Sequence, residues 1–322
     1  MTMRKLMPLF LIISLLSGCM GNKKEQIAIV EIADSTFNSL GEGALWDANT
    51  GRLFYIDIIG KNLFVLDPDS GNKETHELPS MPGTVVVSGD DEVLLALEDG
   101  IYRYTLSDRK LTFLVCPPQN DSTQRFNDGK CGPAGRFWVG TMSLQGDKER
   151  SHLFCMENDT LITMKLDGVT ISNGIVWSSD GKHMYYIDTP TRKVMEFSFV
   201  QETGKIGKPR VAVSVHDSLG SPDGMAIDAN DNLWVCMWGG SAVCCFDPET
   251  GELIDRVKVP AKNVTSCSFA GKNLKEMYVT TARVGTSEDE LKLFPYAGSL
   301  FKVTLKYTGT APNRYSVNNR VF

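Results

Sequence analysis

The chain has 322 residues, 42% hydrophobic and 22% charged, which suits a globular protein of one large or two ordinary domains. Its net charge of −6, from 33 basic and 39 acidic residues, argues against nucleic acid as the main partner. Phosphate binding needs a clustered basic face, and the longest basic cluster is as short as Lys205-Ile206-Gly207-Lys208-Pro209-Arg210.

The N-terminus stands apart from the rest. Arg4 and Lys5 precede an almost unbroken apolar run from Leu6 to Leu16, which ends in Leu16-Ser17-Gly18-Cys19. The run is short for a permanent transmembrane helix, and its basic flank and small-residue end are those of a cleaved secretory signal. The Leu-Ser-Gly-Cys ending looks like a bacterial lipobox, so residues 1–18 are expected to be a lipoprotein signal peptide, Cys19 the lipidated residue, and 19–26 a polar tether. The alternative is a plain signal with an incidental Cys. Loss of Arg4 and Lys5 would take the net charge from −6 to −8. The mature protein is then expected to be exported, periplasmic or at the cell surface, with membrane contact only through the lipid on Cys19. The other seven cysteines form no C-x-x-C pair, and several sit in apolar runs such as Val243-Cys244-Cys245-Phe246. They read as buried free thiols in preference to a disulfide framework.

From residue 27 to 322 the sequence lacks sustained helical periodicity. Short apolar or alternating runs are separated by Gly, Asp, Asn and Pro turns, the pattern of an all-β chain. A repeat is visible. Gly51-Arg52-Leu53-Phe54-Tyr55-Ile56-Asp57 resembles Gly135-Arg136-Phe137-Trp138-Val139-Gly140, Gly181-Lys182-His183-Met184-Tyr185-Tyr186-Ile187-Asp188 and Asn230-Asp231-Asn232-Leu233-Trp234-Val235. Looser copies are Asp90 to Ala96 and Lys275 to Thr280. The six anchors recur about every 40 to 50 residues, the period of propeller blades, because one blade cannot bury both of its faces alone. The prediction is one six-bladed β-propeller of four-stranded blades. The early run Gln26 to Ile32 has no blade of its own, and is expected to pair into the last blade and close the ring.

In a propeller the inner strands converge on a central channel, so polar residues just before each of them should meet in space. The sets preceding the anchors contain Gly41-Glu42-Gly43, Arg125-Phe126-Asn127-Asp128-Gly129-Lys130, Ile171-Ser172-Asn173-Gly174 and Ser221-Pro222-Asp223-Gly224. The last reads as a turn, with Pro222 fixing φ and Gly224 free to take a positive φ, so that Asp223 is presented just before a strand. Glu42, Asn173 and Asp223 offer hard oxygen donors, and two carboxylates at one axis repel unless a cation lies between them. Oxygen donors suit Ca²⁺, Mg²⁺ or Mn²⁺, and Zn²⁺ also takes carboxylates. Each residue alone reads better as an Asx-turn or strand cap, and the three at equivalent repeat positions read better as a donor set. The four histidines fall outside these sets, and there is no Gly-x-Ser-x-Gly elbow.

With these motifs, and with Gly140-Thr141-Met142, Thr265-Ser266-Cys267 and Glu276-Met277-Tyr278-Val279-Thr280, the sequence resembles the regucalcin (senescence marker protein), gluconolactonase and luciferin-regenerating enzyme family of six-bladed propellers. The resemblance implies one divalent cation held at Glu42, Asn173 and Asp223. It implies sugar-lactone contact at Arg125 and Asn127, and hydrolysis of aldonolactones to aldonic acids. Two departures stand out. The usual Pro two residues after the ligand Glu is Ala44, and the acidic residue that some members place after Gly-Thr-Met is replaced by Ser143-Leu144-Gln145, leaving Gln145 as an uncharged substrate contact. The segment Gly146 to Ser151 looks like a lid over the channel.

The mechanism expected from this donor set is metal-polarised attack of water on the lactone carbonyl, with Asp223 as general base and Arg125 orienting ring oxygens. Two alternatives remain at this level: a metal-dependent esterase or phosphoesterase on the same site, and a non-catalytic calcium- or sugar-binding surface propeller. A propeller need not oligomerise to bury its core, so a monomer or weak oligomer is expected.

Overall fold

The computed structural model describes residues 28–119 and 122–316. The expected signal segment 1–18 and the tether 19–26 with Cys19 lie outside the described residues. Among the described residues, no helix is long and apolar enough to cross a membrane.

Six four-stranded antiparallel sheets make up the chain. A first strand β1 (Ile29–Asp34) precedes them. Blade 1 is β2 (Gly41–Asp47), β3 (Arg52–Asp57), β4 (Asn62–Leu66) and β5 (Lys73–Glu77). Blade 2 is β6 (Pro82–Gly89), β7 (Glu92–Leu97), β8 (Gly100–Thr105) and β9 (Lys110–Val115). Blade 3 is β10 (Gln124–Cys131), β11 (Phe137–Ser143), β12 (Ser151–Asn158) and β13 (Leu161–Val169). Blade 4 is β14 (Ser172–Trp177), β15 (His183–Asp188), β16 (Lys193–Val200) and β17 (Lys205–Ser214). Blade 5 is β18 (Ser221–Ile227), β19 (Leu233–Trp238), β20 (Ala242–Phe246) and β21 (Leu253–Lys258). Blade 6 is β22 (Asn263–Ala270), β23 (Glu276–Ala282) and β24 (Leu300–Thr304), completed by β1 on the outside of β24. The ring closes as expected, from Ile29 opposite Thr304 to Asp34 opposite Leu300.

Each sequence anchor is the second strand of its blade, and the polar motifs lie on the first, innermost strand. That strand is covered on both faces by neighbouring blades, which removes the in/out alternation of an ordinary half-exposed strand. All seven residues of β2 are buried, whereas β5 at the rim has one buried residue of five. Apolar layers fill the space between blades. Trp138 of blade 3 stands 5.9 Å, centroid to centroid, from both Trp177 and Phe199 of blade 4. Leu53, Tyr55 and Phe64 of blade 1 pack with Tyr278 and Leu300 of blade 6. The seven cysteines among the described residues are all free thiols, and all but Cys116 are buried, in keeping with their use as small core residues.

All six pairings between first and second strands break register at the same level. The breaks fall between Glu42 and Leu45, Pro82 and Thr84, Phe126 and Gly129, Asn173 and Ile175, Pro222 and Met225, and Val264 and Cys267. A β-bulge bends its strand and re-aims the side chains beside it. A ring of six bulges therefore turns polar side chains toward the axis at one end of the channel.

The far end is crossed by the C-terminal segment. Thr310 N donates to Ile227 O, Tyr315 N to Val87 O and Ser316 N to Gly135 O, while Arg314 grips Asp47 through Nε at 2.8 Å and Nη2 at 2.6 Å. A cavity of about 280 Å³ lies beneath it, bounded by Lys130, Ile175, Trp177, Ala226, Phe269 and Pro312. All but Pro312 belong to the inner strands, on the side of the bulges away from Glu42, Asn173 and Asp223.

Candidate active site

Glu42, Arg125, Asn127, Asp128, Asn173 and Asp223 converge from β2, β10, β14 and β18. They are only 4–8% exposed, so their charges act on one another with little screening by bulk water. Burial pushes the Glu42 carboxyl well above its usual range, and the charges of Asp223 and Asp128 push it further, against a weaker pull from Arg125 and the Gly43 amide. Burial likewise pushes Asp223 well up, opposed by a hydrogen bond from Asn173 and by Arg125. Asp128 is raised by burial and partly compensated by Lys130 and the Gly129 amide, which donates to its Oδ1 at 2.8 Å. Arg125 is lowered by burial while the charges of Glu42, Glu98 and Asp223 hold it up.

Asp223 occupies the bulge itself, between Pro222 and Met225, inside a continuous strand and not in a turn before one. Gly224 does not adopt the positive φ read from the sequence. Its role is close approach: a Cβ there would stand 2.7 Å from Thr265 O and 2.9 Å from Ser266 Cα of the next blade. Glu42 is followed by Gly43, whose φ of +62° belongs to the left-handed region, so this glycine does carry the backbone irregularity.

Arg125 is held by its own strand. Its Nη1 donates to Phe126 O and to Asn127 Oδ1, both at 2.8 Å. Asn127 in turn donates through Nδ2 to Ser172 O of blade 4 at 2.7 Å. Both ends of the Asn127 amide are therefore bonded within the chain, and the residue acts as a prop that aims Arg125. Asn173 donates through Nδ2 to Thr189 Oγ1 at 3.1 Å, and its Oδ1 is buried without a partner. Gln145 lies elsewhere. It is exposed on the connection from β11 to β12, where its backbone amide donates to Ser143 Oγ. That connection stands at the site's end of the channel, since Ser143 pairs with Gln124 at the start of β10.

Three participants were not singled out from the sequence. Asp128 lies in the same Arg125–Lys130 motif as Arg125 and Asn127, and its charge acts on both Glu42 and Asp223. Glu98, at the top of blade 2, adds its charge to the environment of Arg125. Thr189 follows the blade-4 anchor in Asp188-Thr189-Pro190-Thr191, and the only sequence signal was a polar loop with Pro190 in it.

The donor set fits a divalent cation. Lys130 offsets Asp128, leaving two buried carboxylates, Glu42 and Asp223, against one guanidinium, with an orphaned amide oxygen from Asn173 beside them. Such an arrangement has excess negative charge and an unused neutral oxygen, the complement of a hard cation. Among the described residues, no group of three or more His, Cys, Asp and Glu side chains is placed to hold a metal ion. His76, His152, His183 and His216 make their contacts elsewhere, with Tyr104, Asp167, Glu196 and Ser218.

Comparison with known proteins extends over most of the chain. Residues 40–283 match the family described as SMP-30/gluconolactonase/LRE-like region. A Bacillus subtilis protein named as a sugar lactone lactonase is 38% identical over 273 residues, covering 85% of this chain and 94% of that protein. Regucalcin of Xenopus laevis is 34% identical over 293 residues, covering 89% of this chain and 98% of its own. The crystal structure of a calcium-binding protein, regucalcin, from Agrobacterium tumefaciens superposes with a TM-score of 0.84 at 28% identity, covering 88% of this chain and 96% of that one.

Proposed function

Because this chain belongs to the SMP-30/gluconolactonase/LRE-like family, we propose that it is a divalent-metal-dependent hydrolase that opens sugar lactones to aldonic acids. The observation that carries the reading is the buried pair Glu42–Asp223, raised by burial and repulsion and set beside the unpartnered Oδ1 of Asn173. The names of the lactonase and regucalcin relatives support the substrate class and the need for a cation.

Glu42, Asn173 and Asp223 would hold the cation, whether Ca²⁺, Mg²⁺, Mn²⁺ or Zn²⁺. When bound, it supplies Lewis-acid polarisation of the lactone carbonyl and compensates the two carboxylates. Asp223 takes the proton from the attacking water as the new C–O bond forms. The ring C–O bond breaks, and the alkoxide leaving group takes up the proton that Asp223 accepted, giving the hydroxy acid and restoring the Asp223 carboxylate. Arg125, steadied by Asn127, orients ring oxygens and stabilises negative charge on the departing oxygen. The loop carrying Gln145 stands where the sugar's outer hydroxyls would pass, so Gln145 serves substrate choice more than chemistry.

Incubating residues 19–322 with a panel of aldonolactones and each cation, and following acid release, tests the reading. Turnover that chelator abolishes and cation restores is the expected result. Sugar binding without acid release from any lactone or ester would replace it with a binding module. Export and anchoring through Cys19 complete the proposal. A Cys19→Ser variant is expected to leave the membrane fraction, and unchanged retention there would remove the anchor.

A further inference from the structure

The geometry points to Thr189 as the positioning residue that fixes both the orientation of Asn173 and its spacing from Asp223. The inference rests on the cation reading of that site. Thr189 opens a short 3₁₀ turn (Thr189–Thr191) after β15, with its own N–H donated to Ile171 O at 3.1 Å. Its Oγ1 lies 2.9 Å from Pro222 O and 3.1 Å from Asn173 Nδ2.

Which atom donates is decided by elimination. A backbone carbonyl can only accept, so the single hydroxyl proton of Thr189 goes to Pro222 O. Oγ1 is then left with lone pairs only, and whichever end of the Asn173 amide faces it must donate. That end is Nδ2, on the side chain that also acts on the Asp223 carboxylate. The opposite end, Oδ1, is consequently turned to the interior, where it is buried and has no partner. With Thr189 removed, the Asp223 carboxylate alone is left to hold this flip of the amide, and the opposite flip presents N–H groups to the cation. The relay also crosses a blade seam. Asn173 belongs to blade 4, and Pro222 is the residue before Asp223 in blade 5, so one hydroxyl sets the register between two donors on different sheets. Partners that orient a ligand commonly change metal affinity by about 10- to 100-fold when removed.

The test uses Thr189→Val, which keeps the shape and loses the hydroxyl, Thr189→Ser, which keeps the hydroxyl, and Asn173→Ala as the reference for a lost donor. Ca²⁺, Mg²⁺, Mn²⁺ and Zn²⁺ are titrated singly into each protein by calorimetry, and thermal unfolding in chelator checks folding. The expected result is affinity for the best-bound ion weakened about 10- to 100-fold in Thr189→Val and restored to within about threefold in Thr189→Ser. Melting temperatures in chelator should agree across the two variants. Unchanged affinity in Thr189→Val beside a clear loss in Asn173→Ala overturns the role of Thr189 and leaves the cation site standing. Equal loss in Thr189→Ser and Thr189→Val also overturns it, since the hydroxyl would then not be the active feature. Failure of the unaltered protein to bind any of the four ions overturns the cation reading and this inference together.

Discussion

Replacing Asp223 with asparagine is expected to lower kcat for lactone opening by about a thousandfold or more, while the metal-free protein melts at a higher temperature than the parent. The first effect combines loss of a general base, about 10²- to 10⁴-fold by itself, with loss of one of two anionic donors. The second follows from burial. Asp223 is 5% exposed and its carboxyl is pushed well above the ordinary range, so its charge costs the fold stability at neutral pH. Asparagine matches its shape, removes the charge, and relieves the repulsion on Glu42. Function set against stability at one residue is the pattern of an active site. Activity assays and thermal melts in chelator read both effects from one preparation. Turnover within about tenfold of the parent would remove Asp223 from the chemistry. A lower melting temperature would instead make it a structural residue of the bulge.

The architecture was legible because a propeller writes itself six times. Gly51 to Asp57 and Gly181 to Asp188 look alike because each is the second strand of its blade, buried on both faces and flanked by the same turns. Convergence of Glu42, Asn173 and Asp223 followed from their equivalent places in that repeat. Local geometry was less legible. The Pro222-Asp223-Gly224 run carries turn residues, yet it is strand, because bulge geometry and the backbone of the next blade dictate those residue types. Thr189 escaped notice because its partners are a carbonyl 33 residues away and an amide 16 residues away, a relation that exists only once blades 4 and 5 are stacked. Asn127, expected as a sugar contact, also bonds to Arg125 and, across the seam of blades 3 and 4, to Ser172, and the second tie exists only once those blades are stacked. The C-terminal segment, with Arg314 on Asp47, contains no strand or repeat by which its path across the channel could be foreseen.

A bound cation should stabilise the protein strongly at slightly alkaline pH and progressively less as the pH falls. Glu42, Asp223 and Asp128 all have carboxyls raised in the folded state. A raised carboxyl binds its proton more tightly folded than unfolded. Its contribution is therefore fully present below the unfolded value, about 4, and is lost as the pH rises through the folded value. For the metal-free protein this means stability that rises as acidification carries the pH down through the folded values toward about 4. Asp34 and Asp47 work in the opposite sense: burial would raise them, but Lys73 and Arg314 hold them low. Their contribution is present above about 4 and is lost only at more acidic pH. His76, lowered by burial, also loses stability on acidification, below its unfolded value of about 6.5. These groups act alike in the parent and in Asp223→Asn, so the difference between the two proteins isolates the site's effect. Adding an ion at about 100 times its Kd is worth about 2.7 kcal/mol, provided the donors are deprotonated. Protons and cation compete for the same oxygens, so the ion's gain in melting temperature should shrink as the metal-free protein's own stability grows. Melting curves with chelator or ion across this range, for the parent and for Asp223→Asn, decide the matter. If the two metal-free curves run parallel, and the ion's gain is the same at pH 8 and pH 5.5, the buried pair is not where the cation binds.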